Sequence, residues 1–464
     1  DLHSFPTRRS SDLVVARRQD QDAAFRERGA KSMRRRADSF QRRRNLLSLA
    51  QLNFLSLRAA AFFVALWPTA AIVSLLIGGG LWLIRLKADP DLHFRRLPFD
   101  RLVLLFAAIA GLSVFVSPDR AFSFYNYYHL VGIYIVAYFL TGQLVCDEEQ
   151  LRRIMEALAM GAVIVVAYGF YQFIVGVDTS QMKWVDGEAF PALKNRVFST
   201  WENPNILAAY LNEVICFVFA FFMMGKEPLA RFLLGGGLLA LVGCLLMTYA
   251  RGAFLSIALV IGIYGILRDW RVLIACVGVG AAALFAEPLL ADRLISAFTA
   301  ADTSSEMRLA LWESTLDMIF DHPVVGIGWG AYWMVYPQYD FYINDLAVKI
   351  VHAHNMYLHF AAEIGIFGAM AYFWTFFGTL RMALKNREGT PFLQAFWVGA
   401  GLALLSVALG GVTDDVVFNI PTSILLWMLL ALTAASVSIE EEIDGTIALG
   451  EKVTREERDE REGM

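Results

Sequence analysis

Long apolar runs separated by polar segments, most of them short, fill the chain from residue 46 to residue 439. A membrane-spanning helix needs about 20 mostly apolar residues. The first stretch, 46–84, is about twice as long as one such span and contains Pro68 near its middle, so we divide it into two helices. The pattern then predicts twelve spans in all. The later runs lie at 101–117, 122–145, 154–176, 203–224, 229–249, 253–268, 271–288, 354–380, 392–411 and 421–439.

The composition agrees with an all-α polytopic membrane protein. Hydrophobic residues make up 57% of the 464 residues and charged residues only 18%, whereas a soluble domain is about half apolar and about a quarter charged. The formal net charge of −4 gives no reason to expect nucleic acid as a partner. The four cysteines lack metal-ligand spacing, and three fall in apolar runs, so we interpret them as small buried side chains.

The basic residues of the short loops predict the orientation of the spans. Lys and Arg concentrate in cytoplasmic loops, and the basic loops of this chain all fall on the side of its N-terminal segment. These loops are 85–101, 146–153, 225–231, 268–271 and 381–387. We therefore predict a basic cytoplasmic arm at 14–45 and an acidic cytoplasmic tail at 440–464. The long loops 177–202 and 289–353 then lie on the outer side.

The first thirteen residues differ in origin from the rest. They read DLHSFPTRRSSDL and match, letter for letter, a translation of a common short-read sequencing adapter. We therefore exclude residues 1–13 from the fold prediction as an adapter artefact. Met33, which precedes RRRADSFQRRR, is the expected initiator.

The outer loop contains one predicted helix and one glycine-rich segment. In SSEMRLALWESTLDMIFDHP, serines favour a helix start and Pro323 favours its end. An apolar stripe comprises Leu309, Trp312, Leu316 and Ile319. This stripe predicts a helix that lies on the membrane or on the bundle. The next residues, GIGWGAYW, follow no strand, so tight turns that place Trp329, Tyr332 and Trp333 at the membrane interface are favoured over a phosphate loop.

Titratable groups cluster in IVHAHNMYLHFAAEIG, residues 350–365, where the outer loop re-enters the membrane. His352 and His354 have the ligand type for a metal, but the sequence offers no convincing third ligand beside them. His354 also fits an interfacial residue that caps a helix. His359 and Glu363 are four residues apart and share one helix face, as a structural polar pair or along a substrate path.

Four segments in this order resemble the O-antigen ligase and O-antigen polymerase superfamily of bacterial membrane glycosyltransferases. They are RVFSTWENPNILAAYL, TYARGAFLSI, RLALWESTLDMIFDHPVVGIGWGAY and HAHNMYLHFAAEIGIFG. The resemblance covers about 46–439 and implies about twelve helices, a large periplasmic loop 289–353 with short helices, and a bacterial inner-membrane location. It implies transfer of a glycan from undecaprenyl diphosphate to an acceptor hydroxyl at the periplasmic face. The acceptor is lipid A–core, a lipid-linked repeat or a protein, and no cofactor is implied.

The resemblance also implies roles for individual residues. The family's histidine in HN-x-YL is taken as the general base and corresponds here to His354. Arginines that hold the diphosphate correspond to Arg251 of YARGA and Arg308 of MRLALW, with Arg196 as a further match. The supporting or acceptor-binding residues implied are His352, Asn355 and Tyr357. No metal set is implied.

These residue types suit glycan transfer. A sugar hydroxyl is a poor nucleophile, and histidine, which titrates near neutral pH, can remove its proton. Guanidinium groups bind a diphosphate leaving group in bidentate fashion. The plainer interpretations are a charged turn for Arg251 and an ion pair with Glu306 or Asp302 for Arg308. An arginine at the outer membrane boundary runs against the charge rule, which favours function for Arg251.

A membrane transporter is the alternative class, and some members of the superfamily carry the description bicarbonate transporter. Transporters tend to contain repeated halves with matching broken helices. This sequence shows no such repeat, and its candidate residues cluster on one face of the membrane. A structural membrane protein would leave the outer arginines and histidine without a role. The sequence favours a glycosyltransferase and does not separate ligase from polymerase.

Overall fold

The structure is a computed structural model that describes residues 46–177, 196–286, 303–340, 350–385 and 389–440. The adapter-like segment, the basic arm and nearly all of the acidic tail lie outside the described residues. Contacts divide the chain into two compact units, Asp1–Leu55 with Gly80–His93 and Ser56–Gly79 with Phe94–Met464. Every candidate site residue belongs to the second unit.

The described residues form helices and no strand. The helices are α1 Leu46–Phe63, α2 Pro68–Ala88, α3 Asp100–Ser113, α4 Arg120–Asn126, α5 Gly132–Leu144, α6 Glu148–Val175, α7 Pro204–Met224, α8 Pro228–Leu246, α9 Arg251–Leu267, α10 Trp270–Ala286, α11 Thr303–Asp321, α12 Tyr332–Val335, α13 Met356–Leu384, α14 Pro391–Gly410 and α15 Ile420–Glu440. Short 3₁₀ turns occupy Val114–Val116, Tyr336–Gln338 and Val416–Phe418. Pro68 begins α2, so the division of the first apolar run into two helices is confirmed.

Eight helices in the described part of the chain are long and apolar enough to cross a membrane: α1, α2, α6, α7, α8, α13, α14 and α15. α9 and α10 are apolar but have only 17 residues each. α3 has 14 residues, and α4 joins α5 through a π-helical turn at Tyr127–Val131. The prediction of an all-α polytopic fold is confirmed, whereas the count of twelve spans and the outer loop stay predictions.

The interior of the second unit is built on α13, α14 and α15, the most buried of the candidate spans. α14 packs against α7 and α9, and α13 packs against α3 and α11. Ser256 Oγ on α9 donates a hydrogen bond to the Ser406 carbonyl on α14 at 2.9 Å. Large apolar side chains on α8, such as Phe232, are exposed, as expected for a lipid-facing surface.

α13 breaks at Gly365, whose φ is 70°. The carbonyls of Ala362 and Glu363 accept hydrogen bonds from the backbone N–H groups of Ile327 (2.9 Å) and Gly328 (3.0 Å). A Cβ on Gly365 would collide with the backbone of the outer segment. Glycine is therefore required here both for the left-handed backbone and for the close approach. The glycine-rich segment of the outer loop thus docks into a gap in a membrane helix.

The glycine-rich segment forms tight turns, as predicted. Its glycines Gly326, Gly328 and Gly330 have φ values of 77°, 109° and 73°. The placement of Trp329 and Tyr332 at the membrane interface is wrong, because both side chains are buried inside the protein. Trp329 packs against Phe106 and Phe360, with ring centroids 6.1 and 6.3 Å away.

α11 buries a different face from the predicted stripe. Leu311 and Met318 are buried in a cluster with Tyr332, while Leu309 and Leu316 are 61% and 45% exposed. The prediction that the stripe packs on the bundle is therefore wrong for these two leucines. The helix is rotated so that Leu311 and Met318 face the interior instead. Contact of the exposed leucines with the membrane surface stays a prediction.

The orientation of the loops can be tested by cysteine labelling. In a Cys146→Ser background, which removes an exposed thiol, an impermeant thiol reagent should label Asp340→Cys on intact cells. Lys226→Cys and Lys385→Cys should react only after permeabilisation, because basic loops face the cytoplasm. Glu188, also predicted to face outward, lies outside the described residues. Labelling of Lys226→Cys on intact cells without labelling of Asp340→Cys would show that the orientation is opposite to the predicted one.

Candidate functional site

His354 lies in the short segment that precedes α13 and pairs with a carboxylate from another loop. Its Nδ1 lies 3.1 Å from Oδ1 of Asp414, which follows α14. A carboxylate at Nδ1 orients the imidazole and leaves Nε2, on the opposite side of the ring, to act on a substrate proton. The side chains of His354 and Asp414 are 29% and 20% exposed, so a substrate can reach the pair.

The backbone of His354 is held in an uncommon conformation. Its φ is +47°, which residues with a side chain seldom adopt. The His354 N–H donates to Nδ1 of His352 at 3.2 Å, and Nε1 of Trp312 on α11 donates to the His354 carbonyl at 3.4 Å. Strained residues that are fixed by their surroundings are frequent at functional sites.

Charge around Asp414 keeps this carboxyl ionised. Burial would raise the pKa of Asp414, but the hydrogen bond and charge of His354, then the charges of His352 and Arg308, together lower it below its usual value. Burial lowers the pKa of His352 to about 4, and His354 and Arg308 add to this effect against the opposing charge of Asp414. At neutral pH His352 is therefore uncharged beside an ionised Asp414.

Asn355 and Tyr357 fix the segment around His354. Oδ1 of Asn355 accepts from the N–H groups of Tyr357 and Leu358, both at 3.0 Å, and so caps α13. Nδ2 of Asn355 donates to the Val412 carbonyl at 3.0 Å, and the Tyr357 hydroxyl donates to the Ala408 carbonyl at 2.8 Å. Both side chains join the start of α13 to the end of α14, which positions His354 against Asp414.

Two of the three predicted arginines line one cavity. Arg251, the first residue of α9, and Arg308 on α11 line a cavity of about 590 Å³ together with Thr413. Most of the remaining wall consists of apolar side chains from α7, α8, α9 and α10. No side chain caps the first turn of α9. This arginine cavity therefore combines an apolar interior with guanidinium groups and a helix N-terminus, which attracts anions.

The arginine cavity and His354 are adjacent. Thr413 lines the cavity, and the next residue, Asp414, holds His354. Arg308 lines the cavity and also acts on the pKa values of Asp414 and His352. The structure therefore brings the predicted base, Arg251 and Arg308 into one region.

Arg196 is tied to the protein by hydrogen bonds and does not appear among the residues that line the arginine cavity. It is buried, and its Nε donates to the Thr248 carbonyl at 2.7 Å. Its Nη2 donates to Oδ1 of Asn205 at 2.8 Å, and Nδ2 of Asn205 lies 3.4 Å from Oδ2 of Asp414. Arg196 therefore supports Asp414 through Asn205. Asn203 caps α7 with its side chain.

A second set of polar side chains, which are buried, lies near His354 and Asp414. His359 Nε2 is 3.7 Å from a carboxylate oxygen of Glu363 and 3.7 Å from one of Asp415. Glu363 accepts hydrogen bonds from the N–H groups of Gly330 (2.9 Å) and Tyr332 (3.3 Å). The predicted polar pair of His359 and Glu363 is thus confirmed, and it anchors the glycine-rich turns on α13.

His352, His354 and Asp414 also form a candidate metal set. Each offers one ligand atom, and these atoms lie within 4.8 Å of one another. Asp414 supplies the third ligand that the sequence does not reveal. The charge of Arg308 nearby opposes a cation, and the hydrogen bond between His354 and Asp414 already uses two of these atoms. The geometry favours an acid–base pair over a metal centre.

Asp414, Asp415 and Asn205 are site residues that the sequence reasoning missed. The signal was present in GGVTDDVVFN, where two aspartates sit between the last two apolar runs. The alternation of loops places this turn on the same side as His354. Two adjacent acids between apolar runs of a membrane protein are candidates for function.

Comparison with known proteins identifies the class. Residues 236–373 match a family model described as O-Antigen ligase. The matched residues include α9, α10, α11 and much of α13. The resemblance predicted from the four sequence segments is thereby confirmed: this multi-pass membrane protein is similar to the O-antigen ligase family over residues 236–373. The chain is also 25% identical over 350 residues to Exopolysaccharide production protein ExoQ of Rhizobium meliloti (strain 1021). That similarity covers 71% of this chain and 76% of the relative.

Proposed function

We propose that this protein transfers a glycan from undecaprenyl diphosphate to an acceptor hydroxyl at the outer face of the bacterial inner membrane. The arginine cavity is the observation that carries this proposal. A polyprenyl diphosphate joins a long apolar chain to an anionic group, and the cavity joins apolar helix faces to Arg251 and Arg308. The N-terminus of α9, where Arg251 lies, adds to the attraction for an anion, because the helix dipole places partial positive charge there.

The reaction uses the residues beside that cavity. The Nε2 atom of His354 removes the proton from the acceptor hydroxyl, whose oxygen forms a bond to the anomeric carbon of the donor sugar. The bond from that carbon to the phosphate oxygen breaks, and the lipid diphosphate leaves with the electron pair. Asp414 stabilises the imidazolium that forms. Arg251 and Arg308 stabilise the charge that develops on the leaving group.

The acceptor distinguishes two forms of the same chemistry. In a ligase the acceptor is lipid A–core, and in a polymerase it is another lipid-linked repeat. The name of the relative, an exopolysaccharide production protein, supports the polymerase. Both forms need the same donor cavity and the same base.

Transfer should be measurable in membranes and should not need a metal. Membranes that contain the protein, given undecaprenyl-diphosphate-linked glycan and acceptor, should release undecaprenyl diphosphate at a rate unchanged by EDTA, because the proposed base and clamp are protein side chains. Membranes that lack the protein are the control for release. A rate that EDTA abolishes and Zn²⁺ restores would instead assign His352, His354 and Asp414 to a metal centre.

A further inference from the structure

A second cavity lies beside the same turn. Thr413 lines the arginine cavity, whereas Asp415, two residues later, lines a separate cavity of about 150 Å³. This carboxylate cavity is also lined by His359 and Glu363. Asp414 lies between Thr413 and Asp415 in the chain and holds His354. The residues on either side of Asp414, the partner of the proposed base, therefore line two different cavities.

Polar groups inside the carboxylate cavity lack close hydrogen-bond partners among the described residues. Asp415 and His359 are each only 4% exposed. Nδ1 of His359 has no hydrogen-bond partner there, and the carboxylate oxygens of Asp415 face the N–H groups of Val417 and Phe418 without a close hydrogen bond. Buried polar atoms are nearly always hydrogen-bonded, so these atoms are suited to a ligand that supplies both donors and acceptors.

The other walls of the carboxylate cavity are mainly aromatic. They comprise Phe122, Tyr134, Trp329, Trp333, Phe360 and Phe418. The face of an aromatic ring is electronegative and attracts the polarised C–H bonds on the face of a sugar ring. A cavity of about 150 Å³ holds a six-membered ring of the size of benzene, and a sugar ring with its hydroxyl groups is larger. The aromatic walls and the buried polar atoms therefore fit one part of a sugar ring, the rest of which lies outside the cavity.

We propose that the carboxylate cavity binds one sugar ring of the acceptor glycan. The inference rests on the proposed function, since it names where the second substrate lies. Hydroxyl groups of the ring donate to Asp415 and interact with Nδ1 of His359, while the apolar face of the ring packs on the aromatic walls. An acyl chain would leave these polar atoms unpartnered.

The position of the cavity relative to His354 suits an acceptor. The ring of His352 lies 4.2 Å from that of His354 and 6.4 Å from that of His359, measured between centroids. Phe418, which lines the cavity, lies 5.3 Å from His352. One layer of side chains therefore separates the cavity from the proposed base. A glycan held at one ring in the cavity extends past His352 to present a hydroxyl to His354.

Saturation-transfer NMR on the purified full-length protein tests this site directly. The probes are the methyl glycosides of glucose, galactose, mannose, N-acetylglucosamine and rhamnose at millimolar concentration. At least one glycoside should receive saturation from the protein. Asp415→Asn should weaken its binding about 10- to 100-fold, the range for loss of a hydrogen bond to a charged group. Val351→Phe, which places a larger side chain at the cavity wall, should abolish binding.

Controls separate a local effect from a folding effect. Asp317→Asn makes the same chemical change on an exposed position of α11 and should leave binding unchanged. Size-exclusion profiles of all variants should match that of the unchanged protein. The proposal would be overturned if no glycoside bound to the unchanged protein. It would also be overturned if Asp415→Asn and Val351→Phe bound the glycoside as well as the unchanged protein does. Binding that EDTA abolishes would assign the cavity to a cation instead.

The design separates this inference from the proposed function. His354→Ala should keep glycoside binding, since His354 is not among the residues that line the carboxylate cavity. If His354→Ala abolished transfer while no glycoside bound to the unchanged protein, only the proposed acceptor site would be refuted. If glycosides bound at Asp415 while His354→Ala transferred normally, the sugar site would stand and the assignment of the base would fall.

Discussion

Replacing His354 with alanine is expected to lower glycan transfer by about 10²- to 10⁴-fold, the usual cost of losing a general base. The paired Asp414 would then have no imidazole to orient, and the acceptor hydroxyl would keep its proton. Donor binding should persist, because Arg251 and Arg308 line a cavity of which His354 is not a part. The rate of undecaprenyl diphosphate release from membranes measures the loss.

Two other histidine variants provide the comparison. His322→Ala removes an exposed histidine at the end of α11 and should leave transfer unchanged. His352→Ala should do less harm than His354→Ala, because His352 accepts a hydrogen bond from the His354 backbone and only orients it. Normal transfer by His354→Ala together with loss in His352→Ala would move the base to His352.

A surface-polysaccharide gel of His354→Ala cells identifies the acceptor class. An inactive ligase leaves lipid A–core without an O-chain and accumulates lipid-linked polymer. An inactive polymerase leaves lipid A–core that carries a single repeat. The amount of the variant protein in the membrane must match that of the unchanged protein.

Arg251→Lys is expected to lose about 2–4 kcal/mol of transition-state stabilisation, the scale for removing one preorganised donor group. The substitution keeps the positive charge, but an ammonium group cannot contact a diphosphate with two parallel N–H groups. Arg251→Ala should lose at least as much. Transfer rates in membranes at saturating acceptor, compared with the unchanged protein, give the loss in free energy.

Arg268→Lys is the matched control, because Arg268 follows the opposite end of the same helix, α9. It should transfer at the normal rate. Full activity of Arg251→Ala at a normal protein level would remove Arg251 from the diphosphate site. Equal losses in Arg251→Lys and Arg268→Lys would point to a general effect on α9 instead.

The helices could be predicted because their signal is local. Apolar runs of span length and a proline near the middle of the first run are enough to locate α1 and α2. Asn203 before Pro204 is likewise a short-range signal for a helix start, and its side chain caps α7. The convergence of Arg251 and Arg308 followed from the family resemblance, since 57 residues of sequence separate them without any local pattern that joins them.

The features that escaped prediction depend on tertiary contacts. Asp414 pairs with His354 across 60 residues, and no periodicity reveals such a contact. Trp329 was assigned to the membrane interface from its residue type, yet the break at Gly365 draws its segment into the protein. The buried face of α11 differs from its most apolar stripe because a helix near a membrane can place apolar side chains against either protein or lipid.

The gap in α13 determines how substrates reach this protein. Backbone N–H groups of the outer segment complete hydrogen bonds that the broken helix cannot make for itself. Displacing that segment would leave two carbonyl groups without their hydrogen-bond partners, at a cost of about 1–3 kcal/mol for each buried group. These hydrogen bonds oppose displacement of the segment. In the proposed function, a lipid-linked donor therefore enters sideways between membrane helices, and its arrival depends on lateral diffusion in the bilayer.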